Sequence, residues 1–173
     1  MTASEFYRNP TLIETFGRSK LFNVCRRMRE QVPEFPQYEK PVNNYHAAWL
    51  IYLLAKSGSS TTPKVIADSI RAGKELKTGN DLFVIWLGDL LANPERIKRD
   101  IISIWLFESS NYAQVMSSRQ GLIFQGEEKV KQVNKGTQLS GQFLYDFARK
   151  LNVKDESLDS ELVFESSEED EEK

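Results

Sequence analysis

Apolar residues recur at helical spacing along most of the chain. In residues 10–31 they lie three or four positions apart, which predicts a helix with one buried face, and Gly17 divides this segment in two. Residues 43–57 and 81–92 are apolar almost all round, which is typical of helices buried on most sides. The pattern therefore predicts two buried helices at the centre of the fold.

Three helix starts carry the same local signal, a capping side chain directly before a proline. The cap oxygen accepts a free backbone N–H, and proline has no N–H to leave unpaired at the first helical position. The three pairs are Asn9-Pro10, Thr62-Pro63 and Asn93-Pro94. Further helices are predicted over residues 63–77, 94–107 and 138–151, and residues 108–137 are ambiguous.

No stretch of the chain shows sustained alternation of apolar and polar residues, so no strand is predicted. The predicted fold class is all-α, a bundle-like domain of six to seven helices. We expect a short N-terminal arm over residues 1–9, a helical domain over residues 10–152 and a disordered acidic tail over residues 153–173. The tail is rich in serine and glutamate and has too few apolar residues to offset the entropy lost on ordering.

Charge is divided unequally along the chain, although the formal net charge is −2. Residues 152–173 hold ten acids and two lysines, which leaves 21 basic and 15 acidic side chains in residues 1–151. A basic body favours polyanionic partners, although ordinary surface charge also accounts for an excess of this size.

Sequence motifs give no support for catalysis. The chain has one cysteine, Cys25, and one histidine, His46, so it predicts no zinc site, and neither phosphate-binding glycine loops nor a nucleophile elbow occur. We therefore predict a protein that is not an enzyme, with no cofactor, no metal and no small-molecule substrate. The strongly apolar stretches run to about 10–11 residues, which predicts no membrane span, and no signal peptide is evident.

Two polar features stand out as candidate binding residues. Arg119 follows Ser118 in a serine-rich stretch near a predicted chain turn, and a guanidinium matches phosphate with two parallel hydrogen bonds. Asp146 lies at the edge of the last helical stripe. If Asp146 is buried it needs a cation or several donors, whereas just outside the core it faces solvent. Spacing alone leaves both alternatives open.

Three stretches together resemble the coat proteins of flexuous filamentous plant RNA viruses, the closterovirus group most of all. The first is LFNVCRRMREQVPEFPQYEKPVNNYHAAWLIYLLAKSGSS, residues 21–60, with a basic helix, a proline-bearing connector and an apolar helix. The second is the arginine of SSRQG, Arg119. The third is the Tyr-Asp-Phe of QFLYDFARKL, with Asp146.

The resemblance implies a viral coat or nucleocapsid protein that polymerises helically and binds single-stranded RNA without sequence specificity in a basic groove. It implies that Arg119 faces RNA phosphate or forms a structural ion pair with Asp146, and that Ser118 lines the groove. Arg26, Arg27 and Arg29 of the first basic helix complete the expected RNA-binding set. The expected location is the virion and host cytoplasm, with self-association into a homo-oligomer or filament.

Two alternatives remain at this point. One is a non-catalytic helical adaptor that binds another protein through the apolar residues of 158–164, is cytoplasmic or nuclear, and keeps Trp49, Trp86 and Trp105 in its core. The other is an enzyme of unrecognised type, which a deep pocket with converging polar groups would favour.

Overall fold

The computed structural model describes residues 1–31, 35, 40–108, 111–126 and 135–153. Within these residues the chain forms eight helices and a six-stranded antiparallel sheet. The helices are α1 Ala3–Arg8, α2 Pro10–Phe16, α3 Arg18–Gln31, α4 Asn44–Lys56, α5 Pro63–Gly73, α6 Phe83–Leu91, α7 Pro94–Asp100 and α8 Gly141–Asn152. The strands are β1 Lys77–Thr78, β2 Asp81–Leu82, β3 Ile101–Phe107, β4 Tyr112–Ser117, β5 Gly121–Gln125 and β6 Gly136–Ser140. The fold is mixed α and β, so the all-α prediction is wrong.

The predicted helix starts are confirmed. The side-chain oxygens of Asn9, Thr62 and Asn93 each accept a hydrogen bond from the backbone N–H three residues further on, and a proline follows each of them. Gly17 separates α2 from α3 and has φ +82°, a backbone conformation that residues other than glycine rarely adopt. These starts depend on local chemistry, which is why the sequence alone predicts them.

Helix α4 lies at the centre of the molecule, as its apolar sequence predicts. It contacts α3, α5 and α6 on the helical side and β3 and β6 of the sheet. Its Tyr52 is fully buried and its ring lies 6.1 Å from that of Phe83 on α6. Phe83 in turn contacts Phe124 of β5, with ring centroids 5.1 Å apart. One continuous core therefore joins the helices to one face of the sheet.

The sheet has the strand order β2-β1-β5-β4-β3-β6, and each pairing is antiparallel. Alternate residues of its four longer strands face the helices and are buried or nearly so. This inner set includes Ile104, Leu106, Ala113, Val115, Phe124 and Leu139. The opposite face of β3–β6, which we call the outer face, carries the residues between them.

The prediction of a helix over residues 94–107 is wrong in its second half. Helix α7 ends at Asp100, and residues 101–107 form β3. This segment contains three isoleucines, a tryptophan and a phenylalanine, residue types that favour strands. Its alternation is hidden because the outward positions Trp105 and Phe107 are as apolar as the inward Ile104 and Leu106. A similar error affects the last predicted helix, since Leu139 belongs to β6 and α8 begins at Gly141.

The segment predicted as an N-terminal arm forms α1 and packs into the core. Ala3 and Phe6 are fully buried, and the Phe6 ring lies edge-on to that of Phe147 on α8 at 5.7 Å. Thr2 forms a β-bridge with Pro41. The predicted acidic tail and the proposed docking motif within it lie outside the described residues, apart from Val153 at the end of α8.

Protonation of His46 is expected to destabilise the protein as the pH falls below about 6.5, the ordinary histidine pKa. The Nδ1 atom of His46 accepts a hydrogen bond from the backbone N–H of Asn43, and burial lowers the pKa of the imidazole. The unfolded chain therefore binds a proton before the folded chain does, so the free energy of unfolding falls from pH 6.5 toward the lowered pKa. Urea unfolding between pH 7.5 and 5.5 measures this effect.

His46→Gln is the matched control, because glutamine keeps an acceptor at the same helical position and does not titrate. This variant is expected to flatten the decline in stability across that pH range. An equal decline in both proteins would assign the effect to other groups.

Candidate nucleic-acid interface

Three aromatic side chains form a contiguous row on the outer face of the sheet. Trp105 and Phe107 project from β3 and Tyr112 from the start of β4. The Trp105 and Phe107 rings are nearly parallel, with centroids 6.3 Å apart and an angle of 12° between planes, and the Phe107 and Tyr112 centroids are 5.5 Å apart. We call these three residues the aromatic platform.

The aromatic platform is half-buried and does not belong to the hydrophobic core. Trp49 and Trp86 pack against the core cluster, whereas Trp105, Phe107 and Tyr112 are not among the side chains that do so. The idea that all three tryptophans are core residues is therefore wrong for Trp105. Gly136 lies opposite Phe107 on β6, and a Cβ at that position would meet the phenyl ring at 2.8 Å.

Neutral polar and apolar residues of β3–β6 flank the platform, and the charged residue Lys77 of β1 lies beyond Gln125. Gln138 of β6 and Gln114 of β4 flank Trp105 in register, and Gln125 of β5 lies beside Tyr112. Met116 and Ile123 on the same face are 43% and 46% exposed. Along β3–β6 the outward positions carry no charged residue, which is unusual for a sheet face in contact with water.

A cluster of arginines lies at the end of the sheet where β3 begins and β4 ends. The Nε and Nη2 atoms of Arg99 donate to the two carboxylate oxygens of Asp100 at 2.9 and 3.0 Å. This hydrogen bonding is the main reason that the pKa of Asp100 is lowered, and the charges of Arg119 and Arg96 add to it. We call Arg96, Arg99 and Arg119 the basic end.

The turn between β4 and β5 places Ser118 and Arg119 at the basic end. The backbone N–H of Ser118 donates to the carbonyl of Asp100 at 2.8 Å, which ties the turn to the end of α7. The Ser117 hydroxyl oxygen accepts from the backbone N–H groups of Arg119 and Gln120 at 3.3 and 3.0 Å. The structure thus places the two neighbouring residues singled out from the sequence at the end of α7, the helix that carries Arg96 and Arg99, which the sequence did not single out for binding.

The structure does not bring Arg119 and Asp146 together as an ion pair. Asp146 is half-buried on α8 and accepts a hydrogen bond from Gln142 at 2.9 Å. Ion pairs between described residues join Arg27 to Glu30, Arg71 to Asp68 and Arg99 to Asp100. The charge of Arg119 instead helps to lower the pKa of Asp100 on α7.

The arginines predicted on α3 have different surroundings from one another. Arg26 and Arg27 line an open groove of about 470 Å³ at the start of α5, and Arg27 also pairs with Glu30 at 2.8 Å. The other residues that line this groove are Asn23, Ser59, Ser60, Thr61, Thr62 and Pro63. Arg29 instead lies over the Tyr7 ring, 4.8 Å from its centroid, in a packing contact. The groove is therefore a second basic surface, to which Arg29 does not contribute.

The described residues give little support for a nucleophilic cysteine or a metal site. Cys25 is buried on α3, and burial raises the pKa of its thiol, which is the opposite of what a nucleophilic cysteine needs. In the same residues no three His, Cys, Asp or Glu side chains lie close enough to hold a metal ion. Nor does this part of the chain contain a helix of the length and apolarity needed to cross a membrane.

Comparisons with known proteins do not assign a function to this chain. No protein-family model matches the chain, and neither the curated proteins nor the solved structures give a match to it. A proposed function must therefore account for two features of the structure, the basic end and the uncharged outer face of the sheet.

Proposed function

We propose that this protein binds single-stranded RNA with little sequence preference, and that the basic end holds the phosphate backbone. The observation that carries the proposal is the hydrogen bond from the backbone N–H of Ser118 to the carbonyl of Asp100, which brings the turn that carries Arg119 to the end of α7, where Arg96 and Arg99 lie. Guanidinium groups bind phosphate through two parallel hydrogen bonds, and such contacts supply most of the affinity of sequence-tolerant binding.

The arrangement leaves two of the three arginines available to a ligand. Asp100 engages Arg99 through both carboxylate oxygens. Arg96 and Arg119 are exposed and form no ion pair with the described residues. The backbone bond from Ser118 to Asp100 fixes the turn that carries Arg119, which reduces the entropy lost when phosphate binds.

A coat function, which the resemblance to filamentous viruses implies, adds a further requirement: many copies must assemble along one strand. RNA binding at the basic end does not need the ion pair between Arg119 and Asp146. Electron microscopy with and without RNA tests the further requirement. Filaments whose length follows that of the RNA would support a coat function, and discrete particles would reject it while leaving RNA binding intact.

Replacing both Arg96 and Arg119 by alanine is expected to weaken RNA binding and reduce its dependence on salt. Each lost phosphate contact lowers the slope of log K against log salt by about 0.7 for a single strand, so the double variant should lose about 1.4. Fluorescence anisotropy with an unstructured labelled RNA at several salt concentrations measures both quantities.

Arg71→Ala is the matched control, because Arg71 is also an exposed arginine but pairs with Asp68 on α5. It should bind RNA with nearly the affinity and slope of the unmodified protein. The proposal is rejected if the unmodified protein does not bind, if its binding is insensitive to salt, or if Arg71→Ala and the double variant lose the same amount.

A further inference from the structure

We infer that the outer face of the sheet holds the bases of the bound strand, which stack on the aromatic platform of Trp105, Phe107 and Tyr112. This inference rests on the proposed function and assigns a second surface to it. The expected ligand is a single strand with unstacked bases, since bases inside a duplex are enclosed and do not offer their faces to a protein surface.

The rings are placed as a stacking surface requires. The centroids of Trp105 and Phe107 are 6.3 Å apart with nearly parallel planes, and those of Phe107 and Tyr112 are 5.5 Å apart with planes tilted by 50°. All three side chains are half-buried and are not among those packed against the hydrophobic core. Gly136 leaves room for the Phe107 ring to lie across the neighbouring strand. Three half-buried aromatic rings that lie outside the core of the described residues give partly accessible aromatic surface on which a base of any type can stack.

The residues around the platform suit bases, whereas those at the basic end suit phosphate groups. The outward positions of β3–β6 are uncharged, so they attract bases rather than phosphates. Gln114 and Gln138 flank Trp105 and carry both donors and acceptors, which suit the varied edges of the four bases. The arginines begin where the face ends, at the turn that follows Met116. This order along the sheet favours a nucleic acid strand over an uncharged partner.

The alternative partner for an apolar sheet face is a second copy of the same chain. A face-to-face dimer would bury Met116 and Ile123 together with the platform, and it would gain nothing from the arginines beside it. Sedimentation of the unmodified protein and of the platform variants, without RNA, distinguishes this occupant from RNA.

The first experiment uses the whole unmodified 173-residue chain and an oligouridine that contains one 2-aminopurine. Because uridines stack poorly, the fluorescence of the probe is high in the free strand, and stacking on an aromatic ring should quench it. A duplex of the same sequence should bind more weakly at the same salt concentration. Binding without quenching, or equal affinity for duplex, would overturn the base-stacking surface and leave phosphate binding at the basic end standing.

The second experiment compares Trp105→Leu and Tyr112→Leu, which keep apolar bulk but remove the rings. Each is expected to lower affinity for the single strand by about 5- to 150-fold, the range for one stacked base, with the salt slope unchanged. Phe22→Leu is the control, because Phe22 is also an exposed aromatic residue but lies on α3. The inference would be refuted if both platform variants bound RNA with unchanged affinity. It would also be refuted if the unmodified protein were a dimer and these substitutions dissociated it without changing its affinity for RNA.

Discussion

Replacing Phe83 by alanine is expected to lower the free energy of unfolding by about 3–5 kcal/mol, the range for deletion of a buried phenyl ring. Phe83 is fully buried, and its ring lies 6.1 Å from Tyr52, 6.0 Å from Trp86 and 5.1 Å from Phe124. It therefore joins α4 and α6 to the inner face of β5. Loss of the ring leaves a cavity at the junction between helices and sheet.

Ile85→Ala provides the control on the same helix, since Ile85 is 46% exposed. It is expected to cost no more than about 1 kcal/mol. Urea unfolding at pH 7.5 measures both variants. Comparable losses of stability in the two variants would contradict the view that Phe83 connects the two layers.

Replacing Gly141 by alanine is also expected to destabilise the fold, by about 1–3 kcal/mol or more. Gly141 is the first residue of α8, and a Cβ there would collide with the carbonyl oxygen of Ile101 and crowd that of Ile102. These are backbone atoms of β3, so the methyl group cannot be accommodated by rotation of a side chain. The start of α8 would have to move away from the sheet.

Gly121→Ala is the matched control for this steric effect. A Cβ at Gly121 would meet the carbonyl oxygen of Val115 at 3.7 Å, which is ordinary van der Waals contact. We expect this variant to match or slightly exceed the unmodified protein in stability, because alanine loses less backbone entropy on folding. Equal destabilisation by the two substitutions would show that the close approach at Gly141 is not the cause.

The sequence predicts structure well where the signal is local. Each proline at a helix start follows a residue whose side chain caps that helix, and the apolar sequence of residues 43–57 correctly predicts the buried α4. The sheet is missed because β3 has apolar residues on both faces. A strand with Trp105 and Phe107 outward and Ile104 and Leu106 inward does not alternate in polarity, so the feature that hides the strand also makes the outer face a candidate site.

The candidate site is predictable in part for the same reason. Ser118 and Arg119 can be singled out from their own chemistry, because they are neighbours in sequence. Their proximity to Arg96 and Arg99 depends on the turn that joins β4 to β5 and on its hydrogen bond to Asp100, which spans 18 residues of sequence. The predicted ion pair of Arg119 with Asp146 is not formed between these two described residues, and Asp146 accepts a hydrogen bond from Gln142 within its own helix.

Photo-crosslinking of the whole 173-residue chain to single-stranded RNA, followed by mass spectrometry of the linked peptides, tests the central claim most directly. If the sheet and its basic end bind RNA, crosslinks should fall on Trp105, Phe107, Tyr112 and the turn that carries Arg119. Trp49 and Trp86, which pack against the core, should remain unlinked. Crosslinks confined to α3 and the start of α5, with none on β3 or β4, would contradict the account.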